Sequence, residues 1–376
     1  MRHRNQLRHF ICFLCITGLI AIIGFCMYNF LHPRYRTTEL FILNHMQNAN
    51  GSLATYLNDT PQVGPDVVHG REALSESLGL WMQYSLDSRN RELFDRSWEL
   101  LNQHFLSRDG YVYWKLAPDG QQEVTTNALI DDLRIMNALL TATDLWGTSN
   151  WDQTAKKIGQ TLVLHTVNSG YLVDFYDSKY RNSSNTITLS YLNPRDLQKL
   201  TTLGLWHPSD YERHIALLRD YPHEGIFFPK SFHVPTATYR YDANVNMIDQ
   251  LLVALHRQYA GYPSPEFYQF LRSEYYQHGQ IYGEYNRTTQ TSDTYYESIP
   301  VYALTILYAL EQKDLRFAMD IYKRQLTFRS KADTYTGGYL LNGQAHIFDN
   351  LFPLLAETAL YRANPLYFLF HRETDS

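Results

Sequence analysis

Three acidic side chains sit where a carboxyl group could hold or accept a proton. Glu76 lies in Glu72-Ala73-Leu74-Ser75-Glu76-Ser77-Leu78-Gly79-Leu80-Trp81, and on a helix its neighbours at i−3, i+3 and i+4 are Ala73, Gly79 and Leu80. So apolar a setting strips water from a carboxylate, raises its pKa and suits it to act as a general acid. The plainer reading is a first-turn glutamate facing water and favoured by the helix dipole. Asp132 has Ala128, Leu129, Ile135 and Met136 as its helical neighbours. An ionisable group on an apolar stripe costs several kcal/mol unless paired, so function competes there with a structural ion pair. Asp131 shares its face with Asn127 and Arg134 and reads as polar surface or a local pair. Asp242, after Tyr239-Arg240-Tyr241 and ahead of an apolar stripe opening at Met247, has the plainer reading of a helix N-cap.

Aromatic residues crowd near these acids: Trp81, Tyr113, Trp114, Tyr191, Tyr239 and Tyr241. Paired carboxylates in an aromatic cleft are the apparatus of glycoside hydrolysis. Competing chemistries lack their signatures. The sequence has no His-Glu-x-x-His, no P-loop, no Gly-x-Ser-x-Gly and no dinucleotide fingerprint. Its 15 His are scattered without ligand spacing, and His233 and His346 read as hydrogen-bonded structural residues. All three cysteines (Cys12, Cys15, Cys26) lie near the N-terminus, which leaves no disulfide framework or cysteine metal site for the folded part. Neither a metal nor any other cofactor is expected.

The elements that must position these residues are helical. Apolar periodicity predicts helices near 38–57, 71–86, 89–106, 127–146, 150–166, 193–203, 208–220, 242–260, 264–277, 296–312, 313–326 and 345–362. Turn signals such as Asp109-Gly110 and Gly337-Gly338 separate them, and strand-like pieces are few and short. Twelve helices without a strong sheet predict an all-α (α/α)6 barrel, a toroid of six inner helices lining a cleft and six outer ones wrapping them. No fixed repeat period supports an α-solenoid instead.

Ahead of this body, residues 1–9 form a short basic tail and 10–31 an uncharged stretch long enough to cross a bilayer as a helix. Its length and its bulky exit Met27-Tyr28-Asn29-Phe30 predict an uncleaved signal-anchor rather than a cleaved signal peptide, and Phe25 before Cys26 spoils a lipoprotein-type box. A single-pass cell-membrane protein with residues 37–376 as its extracytoplasmic domain is the expectation. Residues 1–36 contain five Arg and no acid, so the remainder carries 28 basic against 38 acidic residues. That balance argues against nucleic acid, which demands a basic face. The 30 Tyr suit a surface that stacks on sugars, or equally a wet protein interface.

Taken in order, several segments resemble glycoside hydrolase family 8. Ser75-Glu76-Ser77-Leu78-Gly79-Leu80-Trp81-Met82 is similar to the family's Ser-Glu-Gly-x-Gly-Tyr-Gly-Met segment, and Tyr113-Trp114-Lys115-Leu116 to its Trp-Lys segment. Residues 128–140 resemble its Ala-Thr-Asp-x-Asp-Leu-Asp helix, Leu189-Ser190-Tyr191-Leu192-Asn193-Pro194 its Asn-Pro-Ser-Tyr region, and Tyr241-Asp242-Ala243 its Tyr-Asp-Ala motif. The resemblance implies an (α/α)6 barrel and an inverting endo-glycosidase acting on a β-1,4-linked extracellular polysaccharide. Glu76 would be the general acid, Asp242 the base that activates water, and Asp132 the residue that holds the sugar before the scissile bond. Departures from the pattern fall at Ile130 (for the family's first Asp), Ser77 and Leu80 (for glycines) and Val245 (for Arg). A divergent, membrane-anchored member is similar to hydrolases encoded with exopolysaccharide synthases, so a synthase complex is an expected partner. The competing readings are a catalytically inactive glycan-binding subunit and an all-α polysaccharide lyase, whose anionic substrate suits an acidic domain poorly.

Overall fold

The computed structural model describes residues 35–59, 67–147 and 150–365. The basic tail and the 10–31 span lie outside these residues. Within them no helix is long and apolar enough to cross a membrane.

The twelve α-helices described are α1 Tyr35–His45, α2 Ser75–Asp87, α3 Arg91–Leu100, α4 Leu129–Trp146, α5 Trp151–His165, α6 Pro194–Thr202, α7 Pro208–Arg219, α8 Met247–Tyr259, α9 Pro265–His278, α10 Ile299–Glu311, α11 Leu315–Leu326 and α12 Phe348–Ala363. Each periodic segment of the sequence thus became a helix, several with their N-terminal ends trimmed. The trimming follows cap chemistry. Asn90, Asn193, Asn246 and Asp314 each accept a backbone N–H from the turn they open, and proline stands in the first turn of α6, α7, α9 and α10.

The even-numbered helices form a closed ring: α2 packs on α4, α4 on α6, α6 on α8, α8 on α10, α10 on α12, and α12 returns to α2. The odd-numbered helices lie outside, α1 against α12, α3 against α2, α5 against α4, α7 between α6 and α8, and α11 against α10. Rings of Phe267 and Tyr268 on α9 meet Tyr308 of α10. This is the (α/α)6 arrangement. Inner helices are apolar nearly all round, as α10 with Val301, Tyr302, Ala303, Leu304 and Ile306 all buried, because they are covered on both sides.

Short antiparallel strands decorate the end where the inner helices begin. β1 (Ala73–Leu74) pairs with β2 (Lys115–Leu116), and β3 to β6 form two small hairpins between Val167 and Ser183. β7 (Thr186–Thr188), β8 (Ser231–His233) and β9 (Thr238–Arg240) make a three-stranded sheet, and β10 (Asn244–Asn246) pairs with β11 (Glu284–Asn286). Strands of two or three residues leave almost no period-2 signature, so the pieces after residue 167 were invisible to periodicity.

Much of the tyrosine surplus is core rather than sugar-facing surface. Tyr84, Tyr302, Tyr308, Tyr322 and Tyr339 are almost wholly buried, and the hydroxyls of Tyr84, Tyr302, Tyr308 and Tyr339 find partners. Tyr84 donates to Glu39 at 2.8 Å and Tyr339 to Glu357 at 2.6 Å. One close approach is a test of the outer packing. Gly337 has φ +86°, and a Cβ there would stand 2.3 Å from the Thr37 carbonyl oxygen at the start of α1. Gly337→Ala is expected to cost about 1–3 kcal/mol by urea titration, and an unchanged midpoint would refute that packing.

Candidate active site

Inner helices of an alternating toroid all run the same way, so their N-termini gather at one end. Glu76 is the second residue of α2, whose start is fixed by the β1–β2 pair and by the Ser75 N–H bonded to the Trp114 carbonyl at 2.9 Å. Its carboxyl has no hydrogen-bond or ion-pair partner among the described residues. Burial, reinforced by the carboxylates of Asp131 and Asp249 and opposed by Arg134, pushes its pKa up to about 7.

Asp131, in the first turn of α4, accepts from the Ser75 hydroxyl at 2.7 Å through Oδ2 and pairs with Arg134 at 3.2 Å through Oδ1. Asp174 accepts the Thr188 N–H and hydroxyl at 2.6 and 2.8 Å, and burial raises it to about 6. Asp249 lies in the first turn of α8, where Asn246 caps the helix. One of its oxygens accepts from the Ser190 hydroxyl at 2.8 Å. Tyr191 stands among all four acids. Its phenol is pushed up first by burial and then by Asp174, Asp131, Glu76 and Asp249.

Arg134 is the cation acting on Glu76 and Asp131, and burial still raises Glu76, Asp131 and Asp174, which favours their protonated forms. Arg134 reaches from α4 to the neighbouring α2 at Gly79, about one turn below Glu76. A Cβ on Gly79 would come within 3.1 Å of its Cδ, so the missing side chain of Gly79 makes room for it. On its far side Arg134 lines a polar cavity of about 350 Å³ with Gln83, Asn137 and Asp196.

The residues expected from sequence divide sharply. Glu76 and Tyr191 are in this cluster. Tyr113 and Trp114, half-buried, lie just ahead of β2, where the Trp114 carbonyl accepts the Ser75 N–H. Asp132 points elsewhere: its Oδ2 accepts from Asn127 at 2.7 Å, its Oδ1 is buried without a partner, and burial raises it well above the usual range. Consecutive helix residues differ by about 100° in direction, so only one of Asp131 and Asp132 can face the barrel axis. Among the described residues the ion pair weighed for Asp132 is absent too, and its hydrogen-bond partner is an amide.

Asp242 is neither cap nor cluster member. α8 begins five residues later than the motif suggested, with Asn246 as its cap, and Asp242 pairs with Lys230 at 3.3 Å and Arg240 at 3.2 Å. Tyr239 is wedged between Tyr221 and Phe232, and Tyr241 donates to the Pro222 carbonyl under Arg287. Trp81 is 5% exposed, stacks on Tyr84 and lines a cavity of about 230 Å³ on the outer side of α2. Among the described contacts none of these four bonds to or stacks on a member of the Glu76 cluster.

Sequence reading missed Asp131, Asp174 and Asp249. The usable signal for Asp249 was Asn246-x-x-Asp249 at the head of the Ile248, Leu251, Leu252, Leu255 stripe, which marks a helix start. Asp174 sits in irregular chain ahead of the short strand Tyr176–Asp177 and offered none. Among the described residues no group of three or more His, Cys, Asp or Glu could hold a metal ion.

No protein-family model matches the chain. It is 35% identical over 329 residues, 87% of each chain, to the Bacillus subtilis (strain 168) protein named "Putative lipoprotein YdaJ". Among solved structures it resembles an α-amylase from Clostridium perfringens, with TM-score 0.79 and 25% identity over 87% of this chain and 98% of that one. It also resembles the endoglucanase Cel10, a family 8 glycosyl hydrolase from Klebsiella pneumoniae, with TM-score 0.60 and 16% identity over 86% of this chain and 99% of that one, a likeness of fold.

Proposed function

We propose that this chain, which belongs to the family of the Bacillus subtilis protein YdaJ, is an inverting glycoside hydrolase in which Glu76 is the general acid and Asp249 the base. The observation that carries this is the Glu76 carboxyl itself, unbonded, raised to about 7, and within electrostatic reach of Asp249 on another inner helix. A group that is half protonated near neutral pH can hand its proton to a leaving oxygen. Of the three aspartates, Asp131 and Asp174 have both oxygens occupied, whereas Asp249 keeps Oδ2 open to orient a water. Tyr191 and the Asp131–Arg134 pair would hold the sugar ring between acid and base.

For the substrate we propose an extracellular polysaccharide, with a β-1,4 linkage as the family 8 resemblance implies. The likeness to the Clostridium perfringens α-amylase favours a second reading, an α-1,4-linked glucan. The lipoprotein name of YdaJ supports a domain held at a membrane. Anchoring through residues 10–31, the extracytoplasmic side and a synthase partner belong to the same proposal.

The test is reducing-end release by the detergent-solubilised full chain on β-1,4-glucans, chitosan, soluble starch and the host's own exopolysaccharide, beside Glu76→Gln. Release by the wild type alone supports the reading and names the linkage, and proton NMR of the first product should show an inverted anomer. Equal binding without release by both proteins would replace it with a glycan-binding subunit.

A further inference from the structure

The ring brings one more acid to the same end of the barrel. Asp349 is in the first turn of α12, the inner helix that packs against α2 on the side away from α4. It lies off the outward stripe of α12, which Asn350, Glu357 and Tyr361 occupy in holding Tyr339 and α1. Its carboxyl has no hydrogen-bond or ion-pair partner among the described residues. Burial alone pushes it up to about 7.

The surroundings of Asp349 are built rather than loose. The backbone at Tyr56 bridges to His346, and across the same junction the Leu57 N–H donates to the Ala345 carbonyl at 3.0 Å and the Ile347 N–H to the Thr55 carbonyl at 2.8 Å. The His346 ring stands edge-on to Tyr56 at 4.8 Å and against Phe348 at 4.9 Å. Its Nδ1 accepts the Phe348 N–H at 3.2 Å, and its carbonyl accepts the Asp349 N–H at 3.1 Å. Burial holds the imidazole down to about 4, so it stays neutral and keeps that lone pair. These contacts fix the first turn of α12 and with it the direction of Asp349. A half-buried carboxyl held so firmly, with nothing to bond among the described residues, is an acceptor and donor open to a ligand.

We infer that Asp349 is a sugar-positioning residue, hydrogen-bonding a hydroxyl of a neutral glycan on the opposite side of Glu76 from Asp131. The inference rests on the glycosidase reading. A hydroxyl both donates and accepts, which matches a carboxyl of this kind, whereas a uronic acid at that place would set two acids against each other. Asp349 takes no part in bond breaking.

The experiment measures kcat and KM of the full chain with whichever glycan of the panel it cleaves, for wild type, Asp349→Asn and Asp349→Leu, with melting temperatures beside them. Asp349→Asn keeps a donor and an acceptor and is expected to stay near wild type. Asp349→Leu should raise KM roughly tenfold, the worth of one hydrogen bond to a buried polar group, with kcat within about twofold and the fold intact. A wild-type KM in Asp349→Leu overturns this inference and leaves the glycosidase reading standing. Equal loss in Asn and Leu variants with a lowered melting temperature also overturns it, because that marks a structural residue. Absence of cleavage by the wild type overturns both.

Discussion

Glu76→Gln should lower hydrolysis by about 10²–10⁴-fold, the usual worth of a positioned general acid, while making the folded protein more stable above neutral pH. The amide keeps the shape of the side chain but cannot give up a proton. The stability gain follows from the cluster. The folded state raises Glu76 from its ordinary carboxylate range to about 7, so between those values the native protein binds a proton that the unfolded chain has released. Stability therefore falls as pH rises through this window, and above it the wild type carries an unfavourable term on the order of 1–3 kcal/mol that the neutral amide lacks. Asp174, raised to about 6, adds to the same trend. The rate has the matching sign: activity that needs protonated Glu76 declines as pH passes about 7. Urea titrations at pH 5 and pH 8 and a kcat profile check both halves. Wild-type-like turnover in Glu76→Gln would remove Glu76 from the mechanism.

The second large effect is expected at Asp249, and its contrast with Asp242 is the informative part. Asp249→Asn should cost about 10²–10⁴-fold in kcat if its open oxygen orients the attacking water. Asp242→Asn should leave kcat within about twofold and stability nearly unchanged, since its partners Lys230 and Arg240 are 45% and 73% exposed and such surface pairs contribute little. The opposite ranking would restore the motif-based assignment. A loss confined to Asp174→Asn would move the base to the hairpin side of Tyr191.

How much was legible in advance depended on the range over which each signal acts. The twelve helices were visible because each buries a stripe with its own 3.6-residue period, and Pro, Asn and Asp at their starts act within one turn. Glu76 was legible for the same reason: Gly79 and Leu80 mark its side of the helix as apolar. The choice between Asp131 and Asp132 was not local. The local pattern set Asp132 on the apolar stripe and Asp131 beside Asn127 and Arg134, but what decides is whether Ser75 or Asn127 is there to receive them, which only the packing of α2 against α4 and of the 166–176 segment settles. Asp242 carried a familiar tripeptide, yet the start of α8 slipped to Met247 because Asn246 caps better there and residues 244–246 were drawn into a strand pair with 284–286. Aromatic residues were the least readable. A tyrosine that stacks on sugar and one that closes a core on Glu39 or Glu357 look alike in a sequence.

Because α12 closes onto α2, the fold is a circle cut at one place. Its first and last described helices, α1 and α12, lie together, with the Thr38 hydroxyl donating to Glu357 at 3.2 Å. Each helix would keep the same neighbours whichever hairpin were translated first, so the architecture places no demand on where the gene opens the loop. The cluster is less forgiving. Glu76, Asp131 and Asp249 are each contributed by a different spoke of the wheel, with Asp174 from the segment between two of them, so no half of the polypeptide holds the whole cluster. Chain order is free to vary here, whereas chain completeness is not.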